Sequence, residues 1–222
     1  MSALRFVGVA VLLTAFPPTR LPAQDPWPIL DGANVAYQSV AAFSADFVQV
    51  VMNPLAGEPD TTWGKLYQKP PNLFAMRFTR PKGDRIVADG RSLWLYTPST
   101  TPDQVIRTPI PELGTTGPNL IGQFVDHARE RYRARYLRAD TLPPDGVADA
   151  IALDPKDPNA PYRAAVIWIA RSDSLVRRME ITEESGQQRI VILRRLQAHG
   201  DVEVPGREFR FSVPRGVQVI DQ

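Results

Sequence analysis

Residues 70–98, PPNLFAMRFTRPKGDRIVADGRSLWLYTP, decide how the rest of the chain is read. Pro70, Pro71 and Asn72 close one segment and open the next. From Leu73 to Arg80 the side chains alternate, with Phe74, Met76 and Phe78 on one face and Ala75, Arg77 and Thr79 on the other. That period of two is the signature of a strand with one apolar face. Residues 84–88 form a second short strand, and Asp89-Gly90 a tight hairpin turn, because glycine accepts positive φ at no steric cost. Residues 92–96 return with Trp94 and Tyr96 sharing a face. An antiparallel sheet with one face of large apolar groups is the expected product.

Outward from this stretch the same short elements continue. Residues 28–40 place Leu30, Ala33, Ala36, Tyr37 and Val40 on a helical stripe. Strands are expected at 43–51, 63–69, 104–108 and 131–137, and residues 119–129 read as a helix with Leu120, Ile121, Phe124, Val125 and Ala128 near one face. Residues 109–118 are irregular and 141–145 a loop. The C-terminal half is a meander of candidate strands at 147–153, 162–170, 175–184, 187–198 and 209–213, joined by short turns. The sum is about eleven or twelve strands with two or three helices. A sheet so wide and twisted must curl, and its concave face needs a cover, for which the helices at 28–40 and 119–129 are available.

Composition fits one such domain. The chain has 222 residues, 43% hydrophobic and 23% charged. Its 22 prolines are about twice the ~5% average; proline is excluded from helix interiors and central strands, so it punctuates short elements. Residues 1–23 read as a secretory leader: Arg5 is followed by an apolar run from Phe6 to Phe16, too short to span a bilayer, and by Leu21-Pro22-Ala23 as a cleavage site. Residues 24–222 form the mature domain. Of the 26 basic side chains Arg5 and Arg20 leave with the leader, so 24 basic groups face 24 acidic ones, and no electrostatic case for nucleic acid remains. The basic run from Arg129 to Arg135 reads as the solvated face of a strand.

Chemistry finds little purchase. Cysteine is absent, which excludes disulfides, thiolate catalysis, cysteine metal sites and lipidation at an N-terminal Cys. The two histidines, His127 and His199, sit among arginines and beside a turn glycine. No nucleophile elbow or phosphate-binding glycine loop occurs, and no metal or cofactor motif. Glu183 and Glu184 are adjacent, so in a strand their carboxylates point to opposite faces and cannot pair. Asp149, Asp154 and Asp157 match no calcium-loop spacing. The reading is of a binding protein rather than an enzyme.

The order and spacing of several pieces resemble the LolA family of periplasmic lipoprotein carriers. They are Pro71-Asn72-Leu73-Phe74, Pro81, Ile86-Val87-Ala88-Asp89-Gly90, Leu93-Trp94-Leu95-Tyr96 and Pro98. Flanking them are a first strand, Phe43-Ser44-Ala45-Asp46-Phe47-Val48-Gln49, and an end that runs from Phe209 to Ile220. The resemblance implies a β-rich α+β fold, an incompletely closed antiparallel barrel with a helical lid over an apolar cavity. It implies acyl chains of lipoproteins as cargo, taken from an inner-membrane ABC transporter and passed to an outer-membrane acceptor by a periplasmic monomer. On that basis the sheet candidates for the cavity are Phe43, Phe47, Phe74, Met76, Phe78, Trp94 and Tyr96, and the lid candidates Leu120, Ile121 and Phe124. An alternative is a lipoprotein-sensing envelope module of the same fold, similar to the regulator RseB. In the family an arginine directly before the Pro-Asn-Leu-Phe element hydrogen-bonds the lid; here that position is Pro70, with neither charge nor N–H, and Lys69 or Arg77 would have to substitute.

The leader reading has a direct test. N-terminal sequencing of the exported protein is expected to begin at or near Gln24; retention of Met1 in a membrane fraction would make the apolar run an anchor instead.

Overall fold

The computed structural model describes residues 24–55, 57–110, 120–198 and 203–222. The leader and its cleavage point, residues 111–119 of the expected irregular segment and lid, and His199 lie outside these residues. The chain opens with helix α1 (Trp27–Ser39) and continues through β1 (Phe43–Met52), β2 (Asp60–Lys69), β3 (Leu73–Arg80), β4 (Arg85–Asp89), β5 (Ser92–Tyr96) and β6 (Gln104–Pro109). Two single turns, α2 (Gly122–Val125) and α3 (Ala128–Arg131), lead into β7 (Tyr132–Leu142), β8 (Gly146–Pro155), β9 (Ala164–Ala170), β10 (Val176–Thr182) and β11 (Gln188–Gln197). A 3-10 turn (Gly206–Phe209) and β12 (Gln218–Asp221) end it.

All twelve strands form one sheet in the order β12-β6-β5-β4-β3-β2-β1-β11-β10-β9-β8-β7. Its edges, β12 and β7, do not pair with each other, so the sheet curls without closing. The curl shows in the packing: Phe74, Met76 and Ala88 from β3 and β4 share one core with Ile151 and Leu153 from β8. Register fixes which groups face it. Phe47 stands opposite Gly64 and Leu193, and Met76 opposite Leu66 and Ile86. Gly64 is required where it is: a Cβ there would lie 2.2 Å from the Arg77 carbonyl oxygen and 2.6 Å from the Phe47 ring. That ring packs edge-on against Phe78, with centroids 5.1 Å apart.

Helix α1 covers part of the concave face. Leu30, Ala33 and Tyr37 are its buried positions, the i, i+3, i+7 stripe that the sequence displays. Its contact is keyed by a buried hydrogen bond from the Gln68 side-chain amide on β2 to the Tyr37 hydroxyl. Without such a partner the Gln68 amide, 1% exposed, would lose its hydration uncompensated.

Three expectations need correction. Residues 209–213 are not a strand: after the 3-10 turn the chain runs irregularly past Pro214, and the last strand is β12, parallel to β6, with Val219 opposite Val105. That tail covers the convex face of β3 to β5. Phe209 is buried against Ala75 and Val87, and Phe211 stacks on Trp94 at 5.2 Å and meets Tyr96 edge-on at 5.9 Å. Trp94 and Tyr96 therefore point away from the concave core; the inward-facing side chains of β5 are Leu93 and Leu95, which stand opposite Ala88 and Ile86. The helix expected at 119–129 is broken in two: Asp126 is extended and His127 sits in the left-handed region at φ 49°. In a continuous helix the Gln123 carbonyl would accept the His127 N–H; here it accepts the Tyr132 hydroxyl at 2.7 Å.

Two buried charges on the β7–β10 side, Asp149 and Arg177, are paired. Asp149, 5% exposed, accepts two bonds from Arg171 at 2.6 and 2.9 Å and one from the Tyr136 hydroxyl at 3.1 Å. The Arg171 bonds outweigh burial and hold the Asp149 carboxyl below its usual range. With a folded pKa below the unfolded value of about 3.9, the unfolded chain takes up the proton first, so this contribution is present above about pH 4 and is lost as pH falls further. Urea midpoints measured against pH should stay level from neutrality to about pH 5 and then drop. Asp149→Asn should be less stable at neutral pH and show a shallower acid drop, because the acid-sensitive partner of Arg171 is gone.

Candidate functional site

Alternation in β3 and its register with β4 place Phe74, Met76 and Ile86 side by side on the concave face. Val191 on β11 and Ile181 on β10 arrive on the same face from the other side of the curl. These five groups and Leu120 from the lid surround a cavity of 390 Å³. A methylene takes up close to the ~30 Å³ share of a liquid water molecule, so the cavity has room for roughly a dozen such groups, one flexible alkyl chain. Its rim is polar. Gln49, Gln123, Glu183 and Arg189 line it, and the last two pair with each other at 2.9 Å.

The sequence candidates separate into three groups. Phe74, Met76 and Leu120 stand in the cavity wall. Phe43, Phe47, Ile121 and Phe124 lie in the core behind it, all less than 4% exposed, with Phe78 packed against Phe47. Trp94 and Tyr96 are on the opposite face of the sheet, under the C-terminal tail. Ile86 was within reach of the sequence, since the hairpin register carries the alternation of β3 into β4. Ile181, Val191, Glu183 and Arg189 were not, because only the curl brings β10 and β11 opposite β3.

The cover over this cavity is held by contacts the sequence did not announce. The Tyr132 hydroxyl, which begins β7, donates to the Gln123 carbonyl in α2 and lies 2.5 Å from the Tyr162 hydroxyl. Both rings are buried, at 2% and 7% exposure. Burial and the neighbouring Tyr132 hydroxyl push the Tyr162 phenol well up, so it remains a donor across the physiological range. Arg129 in α3 bonds Asp31 in α1 at 2.7 Å and lies over the Trp27 ring at 4.8 Å, tying the two covering segments together. Among the described residues neither Lys69 nor Arg77 bonds the cover. Arg77 points to the convex face and pairs with Glu208 at 2.7 Å, holding the tail, and Lys69 is exposed at the end of β2.

An open, curled, mainly antiparallel sheet with an apolar cavity on its concave face defines the fold. Residues 38–212 match the family described as outer membrane lipoprotein carrier protein LolA, and the chain belongs to that family. Among its relatives, the outer-membrane lipoprotein carrier protein of Actinobacillus succinogenes is 28% identical over 200 residues, 89% of each chain. That of Pectobacterium atrosepticum is 28% identical over 184 residues, 82% of this chain and 83% of the relative. The fold is also that of an uncharacterized conserved protein from Thermus thermophilus, whose crystal structure superposes with a TM-score of 0.56 at 16% identity, covering 90% of this chain and all of that one.

The cover has a clear test. Tyr132→Phe keeps the ring in the core and deletes both hydroxyl contacts. A net hydrogen bond contributes about 1 kcal/mol, so amide exchange over residues 120–131 should quicken by about five- to tenfold. Asp31→Asn weakens a half-exposed ion pair of smaller worth and should quicken that exchange by no more than about two- to fivefold.

Proposed function

We propose that this protein is a periplasmic carrier that encloses an acyl chain of a lipoprotein and shuttles it from the inner to the outer membrane. The observation that carries the reading is the 390 Å³ apolar cavity between Phe74, Met76, Ile86 and Val191, partly covered by Leu120 and Gln123, in a chain of this family. Burying about a dozen methylenes at ~0.8 kcal/mol each gives roughly 10 kcal/mol of transfer free energy. Ordering the chain and the cover takes back much of it, which leaves binding that is firm and still reversible. Met76 suits this task, since its unbranched thioether repacks around a flexible ligand. The described part of the cover, two four-residue turns, is short enough to move as a unit when a ligand enters. Loading would come from an inner-membrane ABC transporter and release would be to an outer-membrane acceptor, with the carrier acting as a monomer.

The experiment is mass spectrometry of material co-purified with the protein from the periplasm. Acylated lipoproteins are expected; recovery of phospholipid alone would overturn the reading. Met76→Asp places a carboxylate in the apolar wall of the cavity, where an alkyl chain would have to strip its hydration. It is expected to lose the co-purified cargo and to weaken binding of a fluorescent fatty acid by more than about tenfold. Unchanged binding by the folded variant would remove Met76 from the site.

A further inference from the structure

A second depression of 610 Å³ lies beside the apolar cavity, and the two share Gln123, Pro161 and Tyr162 as a common wall. Its character differs. Tyr132, Pro155 and Ala160 give it an apolar floor, while Arg131 and Lys156 face Glu130 and Asp157 around it. Several of these groups are already engaged. Lys156 bonds the Arg129 carbonyl at 2.7 Å, Asp157 caps the Asn159 N–H at 2.9 Å, and the Arg131 guanidinium lies 5.7 Å over the Tyr132 ring. The Asn159 side-chain amide makes no hydrogen bond among the described residues and lines the groove with both a donor and an acceptor.

We propose that this groove seats the polar head of the same molecule whose alkyl chain occupies the cavity: the ester and amide groups of an acylated peptide and its first main-chain units. This rests on the carrier reading. An amphiphile cannot leave its ester and amide groups in a wall of Phe74, Met76 and Ile86 without losing their hydrogen bonds. The groove reached across Tyr162 offers such bonds. Its charges are balanced in sign, so it fits a neutral, hydrogen-bonding main chain better than a strongly anionic or cationic head. Its apolar floor accommodates the glyceryl and Cβ carbons between the polar groups. The cavity then supplies affinity that is blind to the peptide, and the groove distinguishes an acylated peptide from a free fatty acid.

Two probes separate the roles: a fluorescent fatty acid, and a synthetic peptide of neutral residues acylated with the same chain. The whole mature protein is used. Ala160→Trp fills the groove from a half-buried position in its floor, and Asn159→Ala removes its amide without adding bulk. The native protein is expected to bind the acylated peptide more tightly than the fatty acid. Ala160→Trp should weaken the acylated peptide by about tenfold or more, and Asn159→Ala by a few-fold, while the fatty acid stays within about two-fold for both. Equal affinity of the native protein for the two probes would overturn the proposal. So would unchanged peptide affinity in both variants, or parallel loss of both probes from Asn159→Ala with its thermal midpoint unchanged. Failure of the native protein to bind either probe would instead remove the carrier reading itself.

Discussion

A sheet of twelve strands that turns Phe47, Met76, Leu193 and Ile167 to one side must keep water off that side, and everything else in this structure follows from how that is done. Curling buries the two flanks against each other but cannot finish the task, because the edges β7 and β12 do not meet. The remaining opening is covered by α1 and the two short turns before β7. Among the described residues, Leu120 and Gln123 stand over the cavity that remains beneath this cover. Its apolar character is not a separate device; it is the part of the core the cover does not fill.

The cover is stable and light at once. Leu30, Ala33 and Tyr37 give α1 a conventional buried stripe. By contrast α2 and α3 are single turns, too short to be stable by themselves, and are held from outside. Tyr132 takes the Gln123 carbonyl out of the helix ladder, Tyr162 completes a chain of hydroxyls, and Arg129 reaches Asp31 and Trp27. Ordering therefore combines burial of Ile121, Phe124, Val125 and Ala128 in the core with a few polar contacts of about 1 kcal/mol each. That is the energy scale on which a ligand with tens of contacts can reshape the opening. Position 70 is proline, with no side-chain donor, and the described bond to the cover comes from Tyr132 on the edge strand.

The convex face has its own constraint. Ala75, Val87, Trp94 and Tyr96 are apolar groups on the solvent side of the sheet, and the C-terminal tail exists over them. Phe209 and Phe211 supply the cover, and the Arg77–Glu208 pair and the parallel strand β12 fix it in place. Asp89 contributes at the same edge. Burial works against its ionisation, but bonds from the Ser92 and Arg91 N–H groups and the Trp94 indole prevail and hold its carboxyl low. The hairpin turn and the outward tryptophan are thus bound to one side chain.

Sequence alone determined the elements with a clear period. The strand Leu73–Arg80, the return strand Ser92–Tyr96 and the helix Trp27–Ser39 were legible because alternation and the helical stripe are local properties of backbone geometry. It also determined that Phe74 and Met76 share a buried face. It could not determine which face of β5 turns inward, since a period of two fixes sides relative to each other and not relative to the core. Size suggested the tryptophan; register chose Leu93 and Leu95, because Phe209 and Phe211, over a hundred residues later, offered the aromatic pair a cover of its own. The break at Asp126–His127 was hidden for a related reason: its cause is the Tyr132 hydroxyl, a tertiary partner. Only the curl decided that Ile181, Val191, Glu183 and Arg189 would meet β3 across a cavity, because proximity between flanks of one sheet is a consequence of its total twist and is written in no single strand.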